Sequence, residues 1–272
     1  MEVIQVNFHI SRAATGNLVG YMSANGIHIA LIQEPWLVGK GRIWGVRLKD
    51  YVLYYKIEVS RQISCIFARK ELKLFLFDNF CDGDTTLVRW EKKKKDLPLL
   101  LTSCYMPYDS EEEPPPGKFR EAIRMWRHDV LAGCDANAHH TLWGSSDVNQ
   151  RGESLVDFLS GTNLCVCNRG CDRTFVVRNR SKVIYLTLAT NLGTLMVSNW
   201  MVSEESSPSN HCWIRFRINM QPEVRTPFRN HRRANWDGCS AALESDMTGP
   251  VHELHNKKGQ RYGGLGGAIA CH

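Results

Sequence analysis

Apolar positions along the chain fall into two rhythms. A strand-like run at 3–7 gives way to a helix-like stretch at 15–24, closed by Asn25 and Gly26, and then to a continuous apolar run at 27–33. The chain is therefore expected to open strand, helix, strand. From 51 to 104 the pattern changes to β-branched and aromatic runs with turn breaks, YVLYY, ISCIFA, LKLFLF, TTLVRW and LPLLLTSCY, which predict a succession of strands. The segment EEEPPP at 111–116 reads as a loop that delivers the chain to a short helix at 117–126, and a strand at 130–134 follows almost at once. After a long polar loop come a helix near 152–159 and short strands at 164–167, 174–177, 183–188, 196–202 and 212–218. Strand runs with intervening helices predict an α/β architecture of two packed sheets with helices on the outside. No internal repeat is visible.

After Met220 the periodicity fades into QPEVRTPFRNHRRANWDG, and the end is glycine-rich. The expected division is a folded domain over 1–220 and a basic, Gly-rich tail over 221–272, with a short amphipathic helix around 239–247. The 272 residues suffice for one sizeable domain plus a tail, and 43% hydrophobic with 23% charged residues excludes wholesale disorder. The opening MEVIQVNFHI lacks a secretory pattern, and no run reaches the roughly 18 apolar residues of a membrane span. An intracellular protein with its ten cysteines reduced is expected. A net charge of +6 favours a polyanionic partner only mildly. The run Lys92 to Lys95 between two strand-like stretches reads as a solvated turn.

Six spots put metal-compatible or phosphate-binding groups at predicted strand ends, where an α/β scaffold presents ligands. In order they are Asn7, Glu34 in LIQEPW, Tyr105 in SCYMPY, Asp135 and Asn137 in AGCDANAHH, and His211 in SNHCWI. Each alone has a plainer reading, since Asp and Asn cap turns and a lone histidine is usually structural. Their order is the signal. His139 and His140 are adjacent, so their side chains diverge, and both are read as structural. Cys165, Cys167 and Cys171 form CxCxxxC without a second ligand cluster and are expected to be strand-core cysteines. Trp36, Trp44 and Trp143 are assigned to core or rim rather than to DNA stacking.

The series QEP, YMP, DANAHH, WGS, NQRG, LVDFL, VIYLTLAT and SNH resembles the endonuclease domain of jockey-like non-LTR retrotransposons. These form a branch of the endonuclease/exonuclease/phosphatase (deoxyribonuclease-I-like) family. The resemblance covers residues 3 to 218, and RTPFRNHRRANWDG is similar to the connector that leads towards a reverse transcriptase in such elements. It implies a four-layer α/β/β/α sandwich of two packed, mostly antiparallel sheets flanked by helices. It also implies a Mg2+-dependent endonuclease, with Mn2+ as an alternative ion, that nicks double-stranded DNA in the nucleus for target-primed reverse transcription; the reverse transcriptase itself lies outside this sequence. By the same resemblance Glu34 holds the metal with support from Asn7 and Asn210. Asp135 orients or deprotonates the attacking water, and Tyr105 and His211 donate to phosphate oxygens. Asn137, taken to lie on the same side of an extended segment as Asp135, binds the phosphate.

Two departures stand out. Where the family has aspartates, this chain has Tyr185 in VIYLTLAT and Asn210 in SNHCW. The first aspartate normally pairs with the histidine equivalent to His211 and favours its charged form. The loss of both carboxylates, at Tyr185 and Asn210, predicts a strongly weakened enzyme. A third departure is the short passage from Trp126 to Val130, which points to a trimmed helix. The alternatives are a non-catalytic remnant that keeps the fold and binds DNA, and a phosphatase of the same fold acting on a small phosphoester.

Overall fold

A computed structural model describes residues 1–39, 42–43, 50–57, 59–91, 98–177, 180–191, 195–205 and 209–220. The run Lys92 to Lys95, Trp44 and the expected helix at 239–247 lie outside the described residues. Contacts divide the chain into a compact unit Met1–Glu223 and a second unit Val224–His272, the latter undescribed.

The chain opens with β1 (Glu2–Asn7), α1 (Arg12–Ala24) and β2 (Ile29–Gln33). Helix α1 starts three residues before the predicted point because the Ser11 hydroxyl accepts the Ala14 N–H at 3.2 Å, satisfying one of the free amides of the first turn. A two-residue hairpin follows, β3 (Leu37–Val38) and β4 (Arg42–Ile43), then β5 (Tyr51–Tyr54), β6 (Ser64–Arg69), β7 (Leu74–Leu76), β8 (Thr85–Trp90) and β9 (Leu99–Tyr105). Helix α2 (Gly117–Met125) has nine residues and leads directly to β10 (Val130–Asp135). Helix α3 (Gln150–Ser160), capped by the Asn149 side chain on Gly152 N–H at 2.9 Å, precedes β11 (Leu164–Val166). The chain then forms β12 (Phe175–Val177), β13 (Arg180–Lys182), β14 (Tyr185–Thr190), β15 (Leu195–Val202) and β16 (Ile214–Met220).

Two of these strands correct the sequence reading. The expected strand at 183–188 begins at Tyr185, because the Ile184 and Tyr185 amides are taken by the Thr174 hydroxyl rather than by a ladder. The expected strand at 212–218 begins at Ile214, since Cys212 N–H goes to Thr174 O. The strand expected at 174–177 is β12, but its partner β13 and the hairpin β3–β4 were not anticipated; these strands are two or three residues long and too short to show a period.

The strands form two six-stranded sheets, ordered β15-β16-β1-β2-β6-β5 and β11-β14-β10-β9-β8-β7. Each has one parallel pair near its centre, β1 with β2 and β9 with β10, and antiparallel neighbours elsewhere. A parallel pair needs a crossover, and α1 and α2 supply it. Three apolar layers separate four layers of structure. Ile4, Val6, Leu18 and Met22 fill the space between the first sheet and α1; Val3, Leu31, Leu101, Leu131 and Phe216 fill the space between the sheets; Phe119, Leu155, Trp143 and Leu188 fill the space beneath α2 and α3. This is the expected α/β/β/α sandwich.

The inter-sheet layer is not wholly apolar. Gln5 Nε2 donates to Cys134 O at 3.0 Å, and Gln33 Nε2 donates to Ser103 Oγ at 2.9 Å and Gly133 O at 3.1 Å. Thr187 Oγ1 donates to Gln5 Oε1 at 3.0 Å. These buried bonds fix one sheet against the other, because slipping either would strand desolvated polar groups. A Cβ at Gly133 would sit 2.8 Å from Leu31 Cδ1 and 3.0 Å from the Gln5 side chain, so a larger residue there must displace one of these side chains.

Candidate active site

The pinned register places the carboxyl ends of both parallel pairs side by side, and four predicted residues sit at or just past those ends. Asn7 closes β1, Glu34 follows β2, Tyr105 closes β9 and Asp135 closes β10. The ends of parallel strands are where an α/β sheet offers ligand positions. Asn7 is the joint. Its Nδ2 donates to Asp135 Oδ2 at 2.7 Å, its Oδ1 accepts the His9 N–H at 2.6 Å, its own N–H goes to the Tyr185 hydroxyl at 2.8 Å, and its carbonyl accepts Ser209 Oγ at 2.9 Å.

Asp135 is buried at 1% exposure, and its Oδ1 has no partner. Burial pushes its carboxyl up to about 7; the Asn7 hydrogen bond opposes this and the Glu34 carboxylate adds to it. Glu34 adopts a left-handed backbone (φ 47°) and is held by Glu34 N–H to Ile63 O at 2.7 Å and Ile10 N–H to Glu34 O at 2.9 Å. Non-glycine residues in that region store strain and cluster at functional sites. Burial also drives the Tyr105 phenol up, with the negative charges of Glu34 and Asp135 adding to the effect. Tyr105 and Tyr185 flank Asp135 in register on the two neighbouring strands.

Asn137 corrects one expectation. It does not continue an extended segment beyond Asp135 but turns left-handed (φ 45°), and its Nδ2 donates to Met106 O at 3.2 Å. The chain must leave the sheet here, and asparagine tolerates that conformation. Arg151, which sequence reasoning did not single out, locks the turn through Nε to Asn137 O at 3.1 Å and an η-nitrogen to Met106 O at 3.3 Å.

His211 is 5% exposed and its Nδ1 has no partner. The Tyr185 ring lies parallel to it at 5.4 Å, and Phe175 packs at 4.7 Å. Burial, assisted by the charge of His9, holds its imidazole down to about 3, so it is neutral at physiological pH. Asn210 sits at the exposed rim, in a cleft of about 430 Å3 walled by Asp172, Arg173, Glu205 and His211. The structure thus gathers Asn7, Glu34, Tyr105, Asp135, Asn137 and His211 and leaves Asn210 at the edge.

His9 is the second residue that the sequence did not betray. It lies just past β1 with φ 49°, and its Nδ1 is 3.8 Å from Glu34 Oε2. The pattern Asn7-Phe8-His9 carries no spacing signal; only the fold brings it to Glu34. His139 and His140 serve the loop instead. His139 Nδ1 pairs with Asp147 at 2.9 Å, and His140 Nδ1 accepts Leu142 N–H at 3.0 Å. The expectation of strand-core cysteines holds only in part: Cys167 is half-buried against the inter-sheet layer, whereas Cys165 and Cys171 are exposed. The short β11 sits at the edge of its sheet and leaves one face open to solvent. Trp143 is a core residue. Among the described residues all eight cysteines are free, and no helix is long and apolar enough to cross a membrane.

The family model described as endonuclease-reverse transcriptase matches residues 99–215. Among solved structures, the endonuclease domain of TRAS1, a telomere-specific non-LTR retrotransposon, is similar with a TM-score of 0.70 at 23% identity, over 81% of this chain and 99% of that one. This is the endonuclease/exonuclease/phosphatase fold. Other structures with this fold include the AP endonuclease LMAP from Leishmania major, with a TM-score of 0.62 at 10% identity over 81% of this chain and 88% of that one. The mannosyl-6-phosphatase of Bacteroides thetaiotaomicron matches at 0.53 and 13% identity, over 81% and 100%. No curated protein matches this chain in sequence. The endonuclease/exonuclease/phosphatase fold thus accounts for both sheets and for the strand ends that carry the site.

Proposed function

We propose that this chain is a metal-dependent DNA endonuclease of retrotransposon origin, a phosphodiester hydrolase that nicks double-stranded DNA to expose a primer for reverse transcription. The observation that carries the reading is the 2.7 Å hydrogen bond from Asn7 to Asp135, which ties the two sheets together at the point where the charge of Glu34 is felt by Asp135. Glu34 is the ligand for Mg2+, or Mn2+ in its place. The fit rests on a carboxylate 12% exposed, beside an Asp135 oxygen that lacks any partner. Such a cation, when bound, offsets charge that builds on the phosphorane. Asn7 holds Asp135 in place, Asp135 takes a proton from the attacking water, and Asn137, Tyr105 and the neutral N–H of His211 donate to the phosphate oxygens. Asn210 supports the rim of the site. The substrate places the action in the nucleus, and 221–272 serves as a connector beyond a domain that ends near 220.

In a supercoiled-plasmid assay with Mg2+, the parent is expected to nick and Glu34→Ala to lose at least about 10²-fold in rate. A parent inert across divalent metals counts against the reading.

A second reading, a DNA-binding remnant without turnover, is favoured by Tyr185. This residue is fully buried, stacked on His211 and hydrogen-bonded to Asn7 N–H, where it gives His211 a ring but no charge. Restoring both carboxylates with Tyr185→Asp and Asn210→Asp should then raise the His211 pKa by NMR titration and bring nicking to an inert chain. If the unmodified chain nicks as fast as the double variant, the remnant reading fails.

A further inference from the structure

We propose that His9, Glu34 and His211 form a binding site for a divalent transition-metal ion of the zinc, cobalt or nickel class, selective over Mg2+. One ligand atom from each of the three lies within 4.8 Å of the other two. A tetrahedral metal with ligands at about 2.0–2.2 Å separates its donor atoms by roughly 3.3–3.6 Å, so the widest pair must close by at most about 1.5 Å. The His9 side chain, 61% exposed, can supply that movement by rotation.

The backbones beneath these side chains are fixed. Phe8 N–H bonds Gln33 O at 2.9 Å, Ile10 N–H bonds Glu34 O at 2.9 Å, and Ser209 Oγ bonds Asn7 O at 2.9 Å, which ties the His9, Glu34 and His211 segments together. A site built on pinned segments loses little freedom on binding.

The donor set decides the class of ion. Two imidazoles and one carboxylate suit borderline transition metals, whereas Mg2+ takes oxygen ligands and gives up its water reluctantly. His211 has what a ligand needs. It is buried, its Nδ1 has no partner, and the Tyr185 ring lies flat against it. The other histidine–carboxylate contact among the described residues, His139 with Asp147, is already closed by Lys182 Nζ at 2.9 Å.

This inference rests on the reading of Glu34 as a metal ligand. It is tested by titrating the full chain with Co2+ and following the visible absorption. Thiolate-bound Co2+ shows an intense near-ultraviolet band, which separates exposed cysteines from a histidine–carboxylate site. The expected result is one equivalent bound without thiolate character, displaced by Zn2+ but not by a roughly tenfold excess of Mg2+. His9→Ala and Glu34→Gln should each weaken that equivalent by about tenfold or more. His9 is exposed and Glu34→Gln keeps the side-chain shape, so both variants should fold, which circular dichroism checks. If His9→Ala binds Co2+ as tightly as the parent, or Mg2+ displaces Co2+ at equal concentration, the inference is overturned. A chain that nicks plasmid with Mg2+ but lacks the His9-dependent equivalent sinks this inference alone. One that binds Co2+ through His9 and never nicks sinks the catalytic reading alone.

Discussion

Asp135 and His211 bear opposite titration costs. The folded Asp135 carboxyl lies at about 7 against an ordinary 3.8, so between those values the native state holds a proton that the unfolded chain has lost, and stability falls as pH rises through the window. The folded His211 imidazole lies at about 3 against 6.5, so there the unfolded chain holds the extra proton and stability rises with pH. The two slopes oppose each other over the shared range. Asp135→Asn removes the first and leaves the second. The variant should therefore gain stability from about pH 4.5 to 6.5 more steeply than the parent and exceed it at about pH 8. Urea unfolding at those three values reads the difference, and parallel profiles for the two proteins would sink the assignment of a buried, destabilised carboxylate. At this scale the sequence disclosed residue types well and conformations poorly. Asn137 was legible as a candidate from DANAHH, but its left-handed turn was not, because the backbone angle is set by where β10 must end.

Elements place these residues through their connections. Each sheet contains a strand–helix–strand crossover, β1-α1-β2 and β9-α2-β10, and a parallel pair sends both carboxyl ends the same way. The first crossover was readable from its apolar rhythm and the Asn25-Gly26 stop. The second was readable from a proline-rich loop followed by a short helix. That the two lie face to face depends on side chains such as Gln5 and Gln33, which look like ordinary polar positions in a strand. Gly133 tests this directly. Gly133→Ala puts a methyl against Leu31 and Gln5 and should cost about 1–3 kcal/mol by forcing the sheets apart. A shifted urea midpoint with unchanged slope is the expected outcome, and an unaltered midpoint would show that the sheets have slack there.

At the scale of the molecule, the proposal that the domain ends near 220 is tested by truncation. A chain cut after Glu223 should unfold cooperatively with a midpoint within about 2 °C of the full chain. Loss of cooperativity on truncation would instead make the tail part of the folded unit. The net charge of +6 bears on the partner rather than the fold, since long-range fields steer association without choosing topology.

The alternation of apolar runs determined by itself that this chain forms strands in two groups with helices between them. The ordered series Asn7, Glu34, Tyr105, Asp135, Asn137 and His211 determined which chemistry was worth seeking. Periodicity reports which face of an element is buried, and so it carries no information on which elements meet or where their ends align. Tertiary structure alone decided that His9 stands beside Glu34, that Arg151 grips the Asn137 turn, and that Tyr185 lies flat against His211. The first joins the ends of neighbouring strands in one sheet, the second a turn to the helix that follows it, and the third the start of β14 in one sheet to the segment that leads into β16 in the other, so each is set by how elements pack.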